Sequence, residues 1–198
     1  MARGGQCGVR DTRDSMDAMA TDFQRSKIVT VFDAMDADRD GLLRAADFTA
    51  LASRWTTLRG AAPGSREHRR LTEVMTGWWA ELSAAAASDA VTADDVLRVV
   101  DLLPGMVNAV AETAEAMFTA IDADGDGRIS PAEYRQLIEA WNGRPTDTSE
   151  IFPRLDANGD GHLSRTEFTE LWIEFWAGDD PSHPGTWIFG APAAPAAT

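Results

Sequence analysis

The sequence predicts an all-α protein: four helix–loop–helix units in two pairs, packed into one compact globule, with minimal two-stranded β contacts where paired loops touch. Three observations carry this. A twelve-residue acidic design recurs at residues 36–47, 122–133 and 156–167. Apolar residues stand at fixed offsets on both sides of every copy, at the spacing of one helical face. Between Gly60 and Leu103 the apolar pattern continues after the acidic chemistry has disappeared, which supplies a fourth unit.

The elements follow in chain order. Residues 1–16 mix Arg and Asp without periodicity and read as a mobile tail. A first helix is expected near 17–36, with Phe32 and Met35 four residues and one residue before the loop. The exit helix, near 45–59, carries Phe48 and Leu51 and ends at the breaker Gly60-Ala-Ala-Pro-Gly-Ser65. Helices near 66–84 and 92–103 flank the second loop, and Pro104-Gly105 is a short joint. A helix over 106–121 brings Phe118 and Ile121 to the third loop, and one over 130–141 leaves it with Tyr134 and Leu137. After the turn Asn142-Gly-Arg-Pro145, helices over 146–155 (Phe152, Leu155) and 164–176 (Phe168, Leu171) complete the set. The domains expected are a tail (1–16), an N-terminal pair (17–103), a second pair (106–177) and a C-terminal tail (178–198). That last tail is partly docked through its apolar stretch Gly185-Thr-Trp-Ile-Phe-Gly190, in a groove between the pairs.

The loops have the chemistry of a hard-cation cage. Ca²⁺ takes six to eight oxygens at roughly 2.3–2.6 Å, and a twelve-residue loop can wrap them around it. Positions 1, 3 and 5 offer side-chain oxygens: Asp36, Asp38 and Asp40; Asp122, Asp124 and Asp126; Asp156, Asn158 and Asp160. Position 6 turns sharply and holds Gly41, Gly127 and Gly161. Position 7 contributes only its carbonyl, so Leu42, Arg128 and His162 serve equally. Position 8 is aliphatic for the core: Leu43, Ile129 and Leu163. Position 12 closes the shell with Glu133 and Glu167, but with the shorter Asp47 in the first loop, which tilts that site toward six-coordinate Mg²⁺. Ser130 with Glu133, and Ser164 with Glu167, have capping-box spacing. At position 9 of the first loop, Arg44 leaves a water to complete the sphere.

The second loop aligns through Val91 at position 8 and Asp95 at position 12. Counting back puts Ala84, Ala86 and Ser88 at positions 1, 3 and 5; a thirteen-residue loop over 83–95 is the other register. Neither supplies carboxylates for a metal. The unit reads as structural, pairing Val91 with Leu43 as Ile129 pairs with Leu163.

These residues match D-x-[DN]-x-[DN]-G-x₅-E, and the chain resembles EF-hand calcium-binding proteins over roughly residues 21–176. Active loops one, three and four with a degenerate second resemble the sarcoplasmic calcium-binding protein group and its bacterial calerythrin-like relatives. That resemblance implies two pairs packed face to face and a Ca²⁺/Mg²⁺ buffer holding three ions, with Mg²⁺ competing above all at loop 36–47. The alternative is a Ca²⁺ sensor that exposes an apolar groove to a protein partner. Photoproteins that hold coelenterazine share the loop pattern, but the chain has one tyrosine, Tyr134, at a routine position after the loop. No enzyme is expected.

Composition agrees. With 18 Lys+Arg against 32 Asp+Glu the net charge is −14, which repels phosphate backbones and anionic lipid, so neither nucleic acid nor membrane is an expected partner. Cys7 is the single cysteine, which suits a reducing cytosol, and the first twenty residues hold no apolar signal run. A monomeric, cytoplasmic protein is expected. His68, His162 and His183 have no zinc spacing, and the seven tryptophans are expected in the core.

Overall fold

The computed structural model describes residues 21–190. The expected N-terminal tail, with Cys7, lies outside the described residues, as does the chain beyond Gly190.

Capping residues set most helix starts. Helix α1 (Asp22–Met35) begins where Thr21 Oγ1 accepts the Gln24 N–H at 3.1 Å. Helix α2 (Ala45–Leu58) leaves the first loop and stops at Gly60, where φ is positive. Ser65 caps α3 (Arg66–Ala86), and Thr92 forms a capping box with Asp95 on α4 (Ala93–Val100). A 3-10 turn (Leu103–Gly105) makes the joint to α5 (Val107–Ile121). Ser130 and Ser164 cap α6 (Pro131–Asn142) and α8 (Arg165–Ala177) by the box their spacing predicts, with α7 (Phe152–Leu155) between them. Strands β1 (Arg128–Ile129) and β2 (Leu163–Ser164) pair antiparallel, Ile129 opposite Leu163. Leu43 and Val91 form the matching bridge, exchanging N–H to carbonyl bonds of 2.8 and 3.0 Å. The architecture is all-α with these small β contacts, as the loop pattern predicts.

Residues at the fixed offsets form one core. Phe32, Met35, Phe48, Leu51, Phe118, Ile121, Tyr134, Leu137, Phe152, Leu155, Phe168 and Leu171 are all buried in a single cluster. Where helices of the two halves meet, Trp78 on α3 touches Trp141 of α6 and Trp172 and Trp176 of α8, with ring centroids 5.4–5.8 Å apart. Burying such rings contributes about 25 cal/mol per Å² of apolar area removed from water. Trp78, Trp79 and Trp176 are only partly buried, so the tryptophan core is less closed than expected.

Two expectations about the helices are corrected. The helix over 146–155 is a single turn at Phe152–Leu155. A helix running through would press the Pro153 ring against the Ser149 carbonyl. Asp147 instead turns the chain by accepting the Ser149 N–H at 2.9 Å, and Ile151 and Phe152 both donate to the Thr148 carbonyl. The second unit has no twelve- or thirteen-residue loop, because α3 continues into both frames, as far as Ala86. Alanines 84–87 are strong helix formers with no side chain that competes for backbone groups. The helix closes with Ala87 in the left-handed region (φ 50), Ala87 N donating to Ala84 O and Ser88 N to Ser83 O.

Residues 184–189 rest on α6, α7 and α8 of the second pair and not in the expected groove between pairs. A 3-10 turn (Pro184–Trp187) lies along α8, Gly185 N donates to Glu174 Oε2 at 2.8 Å, and Ile188 and Phe189 are buried. The Tyr134 hydroxyl donates toward the carbonyls of Trp187 and Ile188, each at 3.2 Å. Phe189 sits 4.8 Å from the rings of Trp141 and Phe175.

Candidate metal centre

Each acidic loop is shaped by hydrogen bonds to its own carboxylates. The position-1 aspartates gather the backbone: Asp36 accepts from Asp40 N and Gly41 N, Asp122 from Gly125 N and Gly127 N, Asp156 from Gly159 N, Asp160 N and Gly161 N, at 2.7–3.2 Å. Asp38, Asp124 and Asn158 accept from the residue two further on, as do Asp40, Asp126 and Asp160. These bonds turn three side chains toward one centre. The oxygens of Asp36, Asp38 and Asp40, and likewise of Asp122, Asp124 and Asp126, lie within 4.8 Å of one another. Like charges at that range repel, so the arrangement fits a divalent cation between them.

The turn at position 6 needs positive φ, and Gly41, Gly127 and Gly161 have φ of 82–85°. It brings the backbone of Leu42, Arg128 and His162 alongside the side-chain ligands; Arg128 then enters β1.

Position 12 separates the loops. Glu133 Oε1 accepts the Ala123 N–H at 2.7 Å and Oε2 the Ser130 N–H at 2.8 Å, clamping the loop end to end. Burial pushes the Glu133 carboxyl up, but the N–H groups of Ser130 and Ala123 with the Ser130 hydroxyl outweigh it, and it stays below the usual carboxylate range. Asp47, one methylene shorter, reaches the same two positions, accepting from Ala37 N at 3.0 Å and Arg44 N at 2.8 Å. Glu167 differs: Oε2 accepts the Ser164 N–H at 2.9 Å, while Oε1 is fully buried with no hydrogen-bond donor. A buried carboxylate oxygen without a donor is costly, and a cation in the loop would satisfy it. The residues present therefore fit Ca²⁺, on the chemistry of the donor set and on this orphaned oxygen.

Sequence reasoning missed one participant. Arg44 does not leave the ninth position open: its Nη1 pairs with Asp40 Oδ2, at the rim of the first loop. An arginine where the other two loops carry a capping serine was the available signal. No cluster of metal-ligating residues around His68, His162 or His183 occurs among the described residues. No helix there is long and apolar enough to cross a membrane.

The EF-hand domain pair family matches residues 111–173, and the EF hand family matches residues 28–49. The sarcoplasmic calcium-binding protein beta chain of Penaeus sp. is 32% identical over 110 residues, half of this chain; the chain spans 57% of that relative's length. Among solved structures, the coelenterazine-binding protein of Renilla muelleri in its calcium-loaded apo form superposes with a TM-score of 0.67 at 17% identity, covering 86% of this chain and 96% of that one. The sarcoplasmic calcium-binding protein of amphioxus superposes at 0.66 and 18% identity, covering 87% and 98%. At such identities the structural likeness is one of fold, but the family matches fall on the acidic loops themselves. The chain carries EF-hand calcium-binding units over these two stretches and resembles the sarcoplasmic calcium-binding proteins.

Proposed function

We propose that the protein is an intracellular Ca²⁺/Mg²⁺ buffer that binds three ions. Asp36, Asp38, Asp40, the Leu42 carbonyl and Asp47 hold the first. Asp122, Asp124, Asp126, the Arg128 carbonyl and Glu133 hold the second, and Asp156, Asn158, Asp160, the His162 carbonyl and Glu167 the third. Mg²⁺ competes most strongly at the first, where Asp47 offers a shorter reach. The units are the pairs 17–103 and 106–177, in a cytoplasmic monomer without enzymatic activity.

Buffering rests on one observation: the apolar seat formed by Trp141, Trp172, Phe175 and Trp176 is already filled by Phe189 of the same chain. A protein whose groove is occupied exposes little new surface on loading. The alternative, a sensor that offers an apolar groove to a protein partner, draws on Leu102, Met106 and Val107, which are exposed at the joint between halves. A Ca²⁺ titration in millimolar Mg²⁺, following ANS and tryptophan fluorescence together, decides between them. Saturation seen by tryptophan with flat or falling ANS emission is expected; a rise in ANS overturns the buffer in favour of the sensor. Glu167→Gln should lower the calorimetric stoichiometry from three ions to two, and an unchanged count would refute the third site.

A further inference from the structure

We infer that Arg44 is a built-in competitor for the cation at the first loop: its guanidinium sits on Asp40, and a divalent ion must displace it to use that ligand. The inference rests on the three-ion reading and goes beyond it, because it assigns the order and salt sensitivity of loading to one side chain.

Both oxygens of Asp40 are engaged. Oδ1 accepts the Leu42 N–H at 2.9 Å, and Oδ2 pairs with Arg44 Nη1. At the equivalent position of the other loops stand Ser130 and Ser164, whose hydroxyls cap α6 and α8. Arginine has no acceptor, so Arg44 cannot cap α2; the Asp47 N–H goes to the Arg44 carbonyl. Its side chain is left free to reach back into the loop. Arg165, one place further along loop 156–167, shows the other outcome: it turns outward to pair with Glu115 and lies over the Phe118 ring at 4.3 Å. Among the described residues no arginine or lysine pairs with Asp126 or Asp160.

The competition is of modest strength. The side chains of Arg44 and Asp40 are 40% and 39% exposed, and an exposed ion pair is weakened by solvent and salt. Displacing it, with the residual repulsion between guanidinium and ion, weakens the first loop by about three- to tenfold. Loops 122–133 and 156–167 carry no such contact and load first.

Calcium titration calorimetry on the full chain, at fixed ionic strength, compares the native protein with Arg44→Gln and Arg44→Lys. The glutamine variant removes the charge and should tighten the weakest constant by about three- to tenfold, leaving the other two unchanged. The lysine variant keeps the charge and should stay near native. The contact also has a metal-free signature: the Asp40 carboxyl ¹³C resonance should differ between native and Arg44→Gln protein before any calcium is added. Three ions in both chains with an identical weakest constant would overturn the role of Arg44 and leave the three-ion reading standing. Two ions in the native chain and three in Arg44→Gln would uphold Arg44 and overturn the three-ion reading of the native chain. Two in both would overturn both.

Discussion

Raising the pH from about 7 toward 10 should stabilise the metal-free protein through one buried amine. Lys27 on α1 is 1% exposed, and its Nζ donates to the carbonyls of Phe175 and Gly178, each at 2.7 Å, at the end of α8. The rings of Phe23 and Phe175 lie 5.2 Å from the ammonium. Burial pushes Lys27 from 10.5 down to about 8, with the Asp179 carboxylate opposing. Below about pH 8 folded and unfolded chains both carry the proton, and the slope vanishes. Between about 8 and 10.4 the unfolded chain holds a proton that the folded chain has released, so unfolding free energy rises with pH. The gap from 10.5 to about 8 amounts to about 3 kcal/mol when fully expressed, and about 2 kcal/mol by pH ~9.5. Urea unfolding of native and Lys27→Met protein, in chelator, measures it as the pH dependence of their difference. Tyr134, whose phenol burial pushes up, pulls the other way above pH ~10, but both proteins share it and it cancels. A difference that stays flat from pH ~7 to ~10 would refute the assignment of a perturbed, buried Lys27.

Three further outcomes are expected. Ala87→Gly removes a left-handed alanine costing about 1–2 kcal/mol, offset by about 0.4–1 kcal/mol of added unfolded-state freedom. A net gain of about 0.5–1 kcal/mol should raise Tm by ~1–4 °C in a thermal melt. Phe189→Ala empties a seat among four aromatic rings and should cost about 3 kcal/mol, lowering Tm by ~6–12 °C; a loss under ~1 kcal/mol would mean that the segment is not seated in solution. Calcium at about a hundred times its Kd should add ~2.7 kcal/mol per loaded site, and an identical melt in EGTA would contradict metal-coupled stability.

What the sequence made legible followed from chemistry that is local in the chain. Three loops with fixed ligand spacing give the helix–loop–helix unit, and apolar residues at their offsets give the core, because loop and helical face are both set within about fifteen residues. The second unit was readable only through Val91, whose bridge to Leu43 is a pairing constraint. The path leading to it was not, since an alanine run encodes continued helix as readily as a lost loop. The short α7 turned on Pro153, a local signal masked by the amphipathic spacing of Phe152 and Leu155. The contacts of Lys27 with the α8 carbonyls join residues about 150 apart, and nothing in the chain near Lys27 announces them. Arg44 fell between these cases: its place in the loop was plain, but its direction depended on the missing cap at α2.

The extension of α3 into the second loop's frame bears on how the loops communicate. Loops 122–133 and 156–167 are joined by β1 and β2, so a change in one strand is felt by the other through shared backbone hydrogen bonds. Loop 36–47 is joined through Leu43 to Val91, on a connection with no ligands of its own. On the reading that this second unit is structural, its neighbour has no ion to share. On the three-ion proposal, the first loop therefore shares no strand with a second ion site, whereas the other two loops share one.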